Sequence, residues 1–112
     1  MSDNETQPRN ERMQKIASDA KELLKAISGP YRLLILCLLL ERERNVSEIC
    51  AALGVRQSLV SQHMALLRHM RLVTTERRGH FVYYSIADET TRDIISALHR
   101  RYCNLDQDLD AA

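Results

Sequence analysis

Residues 47–68, SEICAALGVRQSLVSQHMALLR, contain two short helical patterns separated by a single glycine. Asn45 precedes the first pattern and Glu48 follows three positions later, which is the spacing of a capping box at a helix start. Gly54 can adopt the left-handed conformation that ends a helix. The stretch therefore predicts a helix-turn-helix with its tight turn at residues 54–56.

The second of these helices, predicted from Gln57 to about Met70, combines an apolar face with a polar face that carries no acid. An ordinary solvated face mixes Glu with Lys, yet no acidic residue occurs from Ala51 through Thr75. Gln, Ser and Arg side chains hydrogen-bond to base edges in the major groove of DNA. The pattern favours DNA reading over a merely solvated surface.

Two β-prone segments follow, Leu72 to Arg77 and Phe81 to Ile86, joined by Arg78-Gly79-His80. They predict a hairpin with a basic tip, the wing of a winged helix. Residues 51–87 carry five arginines against one acid, although the whole chain has a formal net charge of +1. Such a basic face is typical of phosphate contact. The candidate DNA-binding residues are Arg56, Gln57, Ser58, Ser61, Gln62, His63, Arg68, Arg77, Arg78 and His80.

Three further helices are predicted on either side of this segment. An apolar stripe at helical spacing between Met13 and Ile27 marks the first helix. Pro30 opens a second helix that is apolar nearly all round, and Asp88 caps the last one. The expected fold is mainly α: a winged helix-turn-helix of five helices and a two-stranded wing.

The chain has the length of one domain, and a hydrophobic fraction of 45% is enough for one core. We expect residues 1–10 to form a flexible arm, residues 11–103 the DNA-binding and dimerisation domain, and residues 104–112 a flexible acidic tail.

The longest apolar run, Leu33 to Leu40, is shorter than the roughly 20 residues that cross a bilayer, and the N-terminus has no secretory pattern. A cytoplasmic, nucleoid-associated protein without a membrane partner is therefore expected. In that compartment the three cysteines are expected to be reduced thiols, redox switches or metal ligands rather than a disulfide framework.

The segment quoted first resembles the ArsR family of winged-helix repressors, and the similarity covers about residues 20–103. Further matching pieces are Leu23-Leu24-Lys25-Ala26, Arg32-Leu33, and Arg78-Gly79 with Tyr83-Tyr84-Ser85. The resemblance implies a homodimer through the first and last helices. It also implies double-stranded operator DNA as partner, an inverted repeat with half-sites about one turn apart.

Many members of this family respond to a metal, but their common metal patterns are missing from this sequence. Asn45 and Ser47 stand where arsenic and cadmium sensors have a Cys-x-Cys pair, and Cys50 lies alone one turn later. On the last helix His99 has no correctly spaced partner. Because transition metals need three or four convergent ligands, we expect no metal site and no cofactor.

Cys37 and Cys103 resemble the two thiols of the sulfide- and persulfide-responsive SqrR and BigR branch, to which HlyU-like regulators are related. The resemblance implies that they face each other across the second and fifth helices. Persulfide, polysulfide or an oxidant would link them, and the link would weaken operator binding. From the residues alone, a small buried hydrophobe is the favoured interpretation of Cys37, and the alternative for Cys103 is a stray thiol near the end of its helix. Cys50 is read as a filler of its helix or a bystander.

The predicted function is a DNA-binding repressor that is released when Cys37 and Cys103 are linked. An antirepressor or activator of the HlyU type, or a metal-independent repressor with another inducer, remains open as an alternative. A thiol enzyme is disfavoured because the sequence has no Cys-x-x-Cys, phosphate loop or nucleophile elbow. A protein-interaction module would be distinguished by its lack of salt-sensitive duplex binding.

Overall fold

The computed structural model describes the backbone of residues 2–111 and the side chains of residues 9–102. Cys103, most of the predicted arm and the whole predicted tail lie outside the described side chains. The thiol pair and the domain boundaries therefore stay predictions.

Within the described backbone, five helices and three strands follow one another, and the predicted winged-helix architecture is confirmed. The elements are α1 (Ser2–Ile27), α2 (Pro30–Glu41), β1 (Arg44–Asn45), α3 (Val46–Leu53), α4 (Gln57–His69), β2 (Val73–Arg78), β3 (Phe81–Ile86) and α5 (Glu89–Ala111). No single helix in this range is long and apolar enough to span a membrane, although α1 from Arg9 and α2, bent by 88°, meet that test as a pair.

The predicted two-stranded wing is present as β2 and β3, and β1 adds a third antiparallel strand, giving the order β1-β3-β2. Arg44 pairs with Tyr84, and Asn45 pairs with Tyr83. A strand of two residues has no alternation of polar and apolar positions that a sequence pattern could reveal. Its pairing joins the wing directly to the start of the helix-turn-helix.

The capping box predicted at the start of α3 is present. Asn45 Oδ1 accepts the Glu48 N–H at 2.9 Å, and Glu48 Oε1 accepts the Asn45 N–H at 3.1 Å. At the other end Gly54 has a φ of 67°, and its N–H donates to the Cys50 carbonyl at 2.8 Å. These contacts fix the beginning of the helix-turn-helix and the turn that leads to α4.

The end of α4 uses a turn that glycine usually supplies. The Leu72 N–H donates to the Leu67 carbonyl and the Arg71 N–H to the Arg68 carbonyl, which is a Schellman motif. Arg71 occupies its left-handed position with a φ of 61°. The chain thereby leaves α4 and enters β2.

The core is aliphatic, as the composition indicates, and α2 lies at its centre. Its helix neighbours α3, α4 and α5 each contribute fully buried side chains. The residues with at most 1% exposure in this core are Ile35, Leu36, Leu39, Ile49, Val60, Met64, Leu67 and Ile95. By contrast, the apolar stripe of α1 is largely exposed, and Met13, Ile16 and Leu24 are 57%, 66% and 57% accessible.

Candidate nucleic-acid interface

The buried face of α4 holds this helix against the core and leaves its polar face in solvent. Val60, Met64 and Leu67 are buried, as their spacing predicts. The polar residues that sequence analysis selected on and beside this helix are exposed: Arg56, Gln57, Ser58, Ser61, Gln62 and Arg68. The side chains with hydrogen-bonding groups for base edges are therefore accessible together on one helix.

The N-terminus of α4 is open to an anion. Arg56 occupies the cap position without a side-chain capping hydrogen bond, and the first turn contains no acidic residue. The first N–H groups of a helix have no partner within the helix and carry its positive dipole end. With the Arg56 guanidinium beside them, these groups suit a DNA phosphate.

His63 occupies a different part of α4 from the exposed polar residues. It is half-buried, and its ring centroid lies 6.0 Å from that of Tyr31 on α2. The contact turns His63 toward the flank of α4 that meets α2. The sequence pattern did not reveal this neighbour, because Tyr31 is 32 positions away.

The hairpin turn is tighter than predicted. Arg78 pairs with Phe81, so only Gly79 and His80 connect the strands. Gly79 has a φ of 63°, which fits a two-residue turn with glycine in its first position. Arg78 consequently belongs to β2 rather than to the loop.

The two neighbouring wing arginines have different surroundings. Both are exposed. Arg78 Nη1 donates to Glu43 Oε1, Nη2 donates to Glu43 Oε2 at 2.9 Å, and Nη2 also donates to Glu76 Oε2 at 2.7 Å. The Arg78 guanidinium also lies 4.9 Å from the centroid of the Tyr83 ring. Arg77 donates to the Gly79 carbonyl at 3.5 Å.

These contacts perturb the charges of the wing. Hydrogen bonds to Glu43 and then to Glu76 raise the pKa of Arg78, and the hydrogen bond from Arg78 lowers the pKa of Glu76. Two carboxylates thus compensate the Arg78 cation. Sequence reasoning missed Glu43, since it lies 35 positions from its partner and no local pattern relates them.

Clefts separate α4 from the wing. One of about 470 Å³ is lined by Ser61, Arg68 and Tyr84 among others. Another, of about 340 Å³, has Gln57, His80 and Val82 in its lining. Candidate residues of the helix and the wing therefore border the same spaces.

The two cysteines with described side chains are not among the exposed residues of this surface. Cys37 on α2 and Cys50 on α3 are partly buried and pack against the core. Among the described side chains, no group of three or more His, Cys, Asp or Glu is placed to hold a metal ion.

The chain is similar to known regulators in both sequence and structure. A sequence profile described as bacterial regulatory protein, arsR family, matches residues 29–75. The transcriptional activator HlyU of Vibrio cholerae is 40% identical over 95 residues, which span 85% of this chain and 88% of that protein. The biofilm growth-associated repressor of Agrobacterium fabrum is 33% identical over 97 residues, or 87% of this chain and 83% of that protein.

A solved structure of reduced HlyU from Vibrio cholerae superposes on this fold with a TM-score of 0.79. The two chains are 40% identical, and the match covers 82% of this chain and 97% of that one. This chain therefore shares its fold with the HlyU structure.

Proposed function

Since this chain belongs to the ArsR family of bacterial regulatory proteins, in its HlyU- and BigR-like branch, we propose that it represses transcription from an operator and is released when Cys37 and Cys103 are linked. Its relatives are DNA-binding transcriptional regulators and not enzymes. We place its action at the nucleoid in the cytoplasm, where such an operator would be.

The observation that carries DNA binding is the exposed, acid-free face of α4 behind an uncapped, basic N-terminus. The helix would lie in the major groove, with Gln57, Ser58, Ser61 and Gln62 at the base edges. Arg56 and Arg68 flank this row and would contact phosphate.

A second copy of this chain is the proposed partner along α1. Met13, Ile16 and Leu24 present apolar side chains to solvent on one face of that helix. Burying such a stripe is favourable by roughly 25 cal/mol for each Å² of apolar surface removed from water. A symmetric dimer would place two copies of α4 on an inverted repeat.

The proposed switch uses Cys37, which is partly buried on α2, and Cys103. One thiolate attacks the outer sulfur of a persulfide RSSH, displaces RS⁻ and becomes a persulfide itself. The second thiolate then attacks the inner sulfur, forms the disulfide and expels HS⁻. Overall, two thiols and RSSH give one disulfide, RSH and H₂S. The new link between α2 and α5 would favour a subunit spacing that no longer matches the operator.

Activation is the second candidate function. The Vibrio cholerae relative is named an activator, whereas the Agrobacterium relative is named a repressor. A footprint over the core promoter supports repression, and one far upstream supports displacement of a silencing protein.

A gel-shift titration with duplex DNA from upstream of the chain's own gene tests DNA reading. Gln62→Ala should weaken binding about 5- to 150-fold for each half-site that the dimer contacts, because a good base contact contributes roughly 1–3 kcal/mol. Gln14→Ala, the same change on the exposed surface of α1, should bind like the wild type. Equal affinities for wild type and Gln62→Ala on the same duplex would exclude this part of α4 as a base reader.

The same titration with polysulfide-treated protein tests the switch. Treatment should release the wild type and Cys50→Ser, whereas Cys37→Ser and Cys103→Ser should remain bound. Release of both single variants would eliminate the dithiol mechanism and leave the DNA-binding proposal intact.

A further inference from the structure

We infer that the two adjacent wing arginines have separate tasks: Arg77 contacts DNA phosphate, whereas Arg78 braces the wing against Glu43. This inference rests on the proposed DNA binding. It differs from the expectation, drawn from the sequence, that both arginines approach DNA together.

The register of the hairpin puts the two arginines on opposite faces of the sheet. Successive residues of a strand point to alternate sides, and directly paired residues share a side. Arg77 pairs with Val82 and so shares a face with buried Val73 and Ile86. Arg78 pairs with Phe81 on the outer face.

The face of Arg77 is the one that meets the candidate base-reading helix. Val82 and Tyr84 on this face line clefts together with Gln57 and Ser61, and from the outer face Phe81 at the hairpin end also borders the first of these clefts. Arg77 lies near the hairpin tip on this side and is exposed. DNA held by α4 would therefore pass the Arg77 side of the wing.

The outer face already supplies Arg78 with anionic partners. Its two terminal nitrogens bind both oxygens of Glu43, and one of them also binds Glu76. Bidentate, charge-assisted pairs of this type fix geometry as well as charge. Arg78 would have to give up these contacts, and its place over the Tyr83 ring, to reach a phosphate.

Glu43 is itself held in place, which makes it a suitable anchor. It lies between the end of α2 and β1. Arg42 on one side binds Glu48 at 3.0 Å, and Arg44 on the other donates to the Leu38 carbonyl at 3.1 Å. The brace thus fastens the outer face of the wing to the segment that follows α2.

The two tasks have different salt signatures. Each phosphate contact releases counterions, so its loss reduces the slope of log Kobs against log salt by about 1. A loosened brace leaves the phosphate contacts of the final complex unchanged. Loss of the brace adds only the free-energy cost of ordering a mobile hairpin on binding. This cost weakens binding without changing the slope.

Five full-length variants test the division: Arg77→Gln, Arg78→Gln, Glu43→Gln, the double variant Arg78→Gln with Glu43→Gln, and the control Glu41→Gln. The control removes the same charge from the same segment, where Glu41 pairs with Arg44 rather than Arg78. Arg77→Gln should reduce the slope by about 2 in a symmetric dimer, one for each protomer. Arg78→Gln and Glu43→Gln should weaken binding several-fold at an unchanged slope, and the double variant should be no weaker than either single one.

Amide hydrogen exchange of the DNA-free protein gives a readout that does not depend on DNA. Exchange in β2 and β3 should quicken in Arg78→Gln and Glu43→Gln but not in Arg77→Gln or Glu41→Gln. A reduced salt slope in Arg78→Gln with unchanged exchange would overturn the brace. So would Glu43→Gln binding DNA more tightly through Arg78. If no variant and no wild type bound duplex DNA, the proposed function would fail, while the exchange data would still decide the brace.

Discussion

Arg71 adopts a left-handed backbone conformation in the turn that ends α4. Any side chain is strained in this conformation, and nothing in the turn requires an arginine there. For a residue with a Cβ, this conformation is disfavoured by roughly 1–2 kcal/mol relative to right-handed conformations, and glycine avoids that strain. The extra freedom of glycine in the unfolded chain offsets part of the gain. Arg71→Gly should therefore stabilise the fold by about 0.5–1 kcal/mol.

Urea unfolding measures this change. Gly54→Ala is the matched control in the reverse direction, because it adds a side chain at a left-handed position. Gly54 has a similar φ of 67° and open space around its missing Cβ, so strain alone should destabilise that variant. If Arg71→Gly unfolded at a lower urea concentration than the wild type, the arginine side chain would have to stabilise the turn.

At the same scale, the sequence predicted the exposed polar residues of α4, except for half-buried His63, because buried and polar positions alternate with the helical period. It could not separate Arg77 from Arg78. Their difference depends on strand register and on Glu43, a distant partner. Local composition shows the charges of a surface but not which of them are already compensated.

Among the elements, α3 begins with a capping box whose Glu48 carboxyl group also titrates. A hydrogen bond from the Asn45 backbone, followed by one from the Arg42 side chain, lowers the pKa of Glu48 below its ordinary value of 4.5. A carboxyl group with a lowered pKa stabilises the fold above its unfolded pKa, and this contribution is lost as the pH falls through the folded value. The stability of the wild type should thus decrease as the pH falls below about 4.5.

Glu48→Gln should be less stable than the wild type at neutral pH and should lose less stability on acidification. Urea midpoints measured between pH 7 and pH 3 check this, with Glu11→Gln on the exposed surface of α1 as the charge-matched control. Parallel pH profiles for Glu48→Gln and the wild type would contradict the role of the cap.

The helices were predictable as elements because caps, glycine and apolar spacing agree along each of them. β1 was not, since its two residues form a strand only through their partners on β3. The same Asn45 that signals a helix start also pairs with Tyr83, and a pattern along the chain reveals only the first of these roles.

For the whole molecule, the exposed stripe of α1 is the feature with the largest expected effect. Ile16→Glu would place a charge in the proposed interface between two copies, where desolvation opposes association. Analytical ultracentrifugation should show a dimer for the wild type and a monomer for this variant, and operator binding should weaken with the loss of the second half-site.

Ile16→Ala should dimerise more weakly than the wild type but more tightly than the glutamate variant, because it only removes apolar area. A glutamate variant that sediments like the wild type would place the dimer interface elsewhere. The sequence predicted a second copy of the chain as partner only through the family resemblance. An exposed apolar stripe indicates an interaction surface but does not identify the partner.

The pairing of β1 with β3 has a consequence for the genome sites that such a regulator can use. Because one short segment both starts α3 and completes the sheet, the backbone links the wing to the helix-turn-helix that contains α4, the proposed groove-reading helix. A single inserted base pair shifts the flanking DNA by about 3.4 Å and turns it by roughly a tenth of a revolution. Since α4 and the wing are linked in this way, we expect a base pair inserted between the core bases and the flanking backbone to weaken binding.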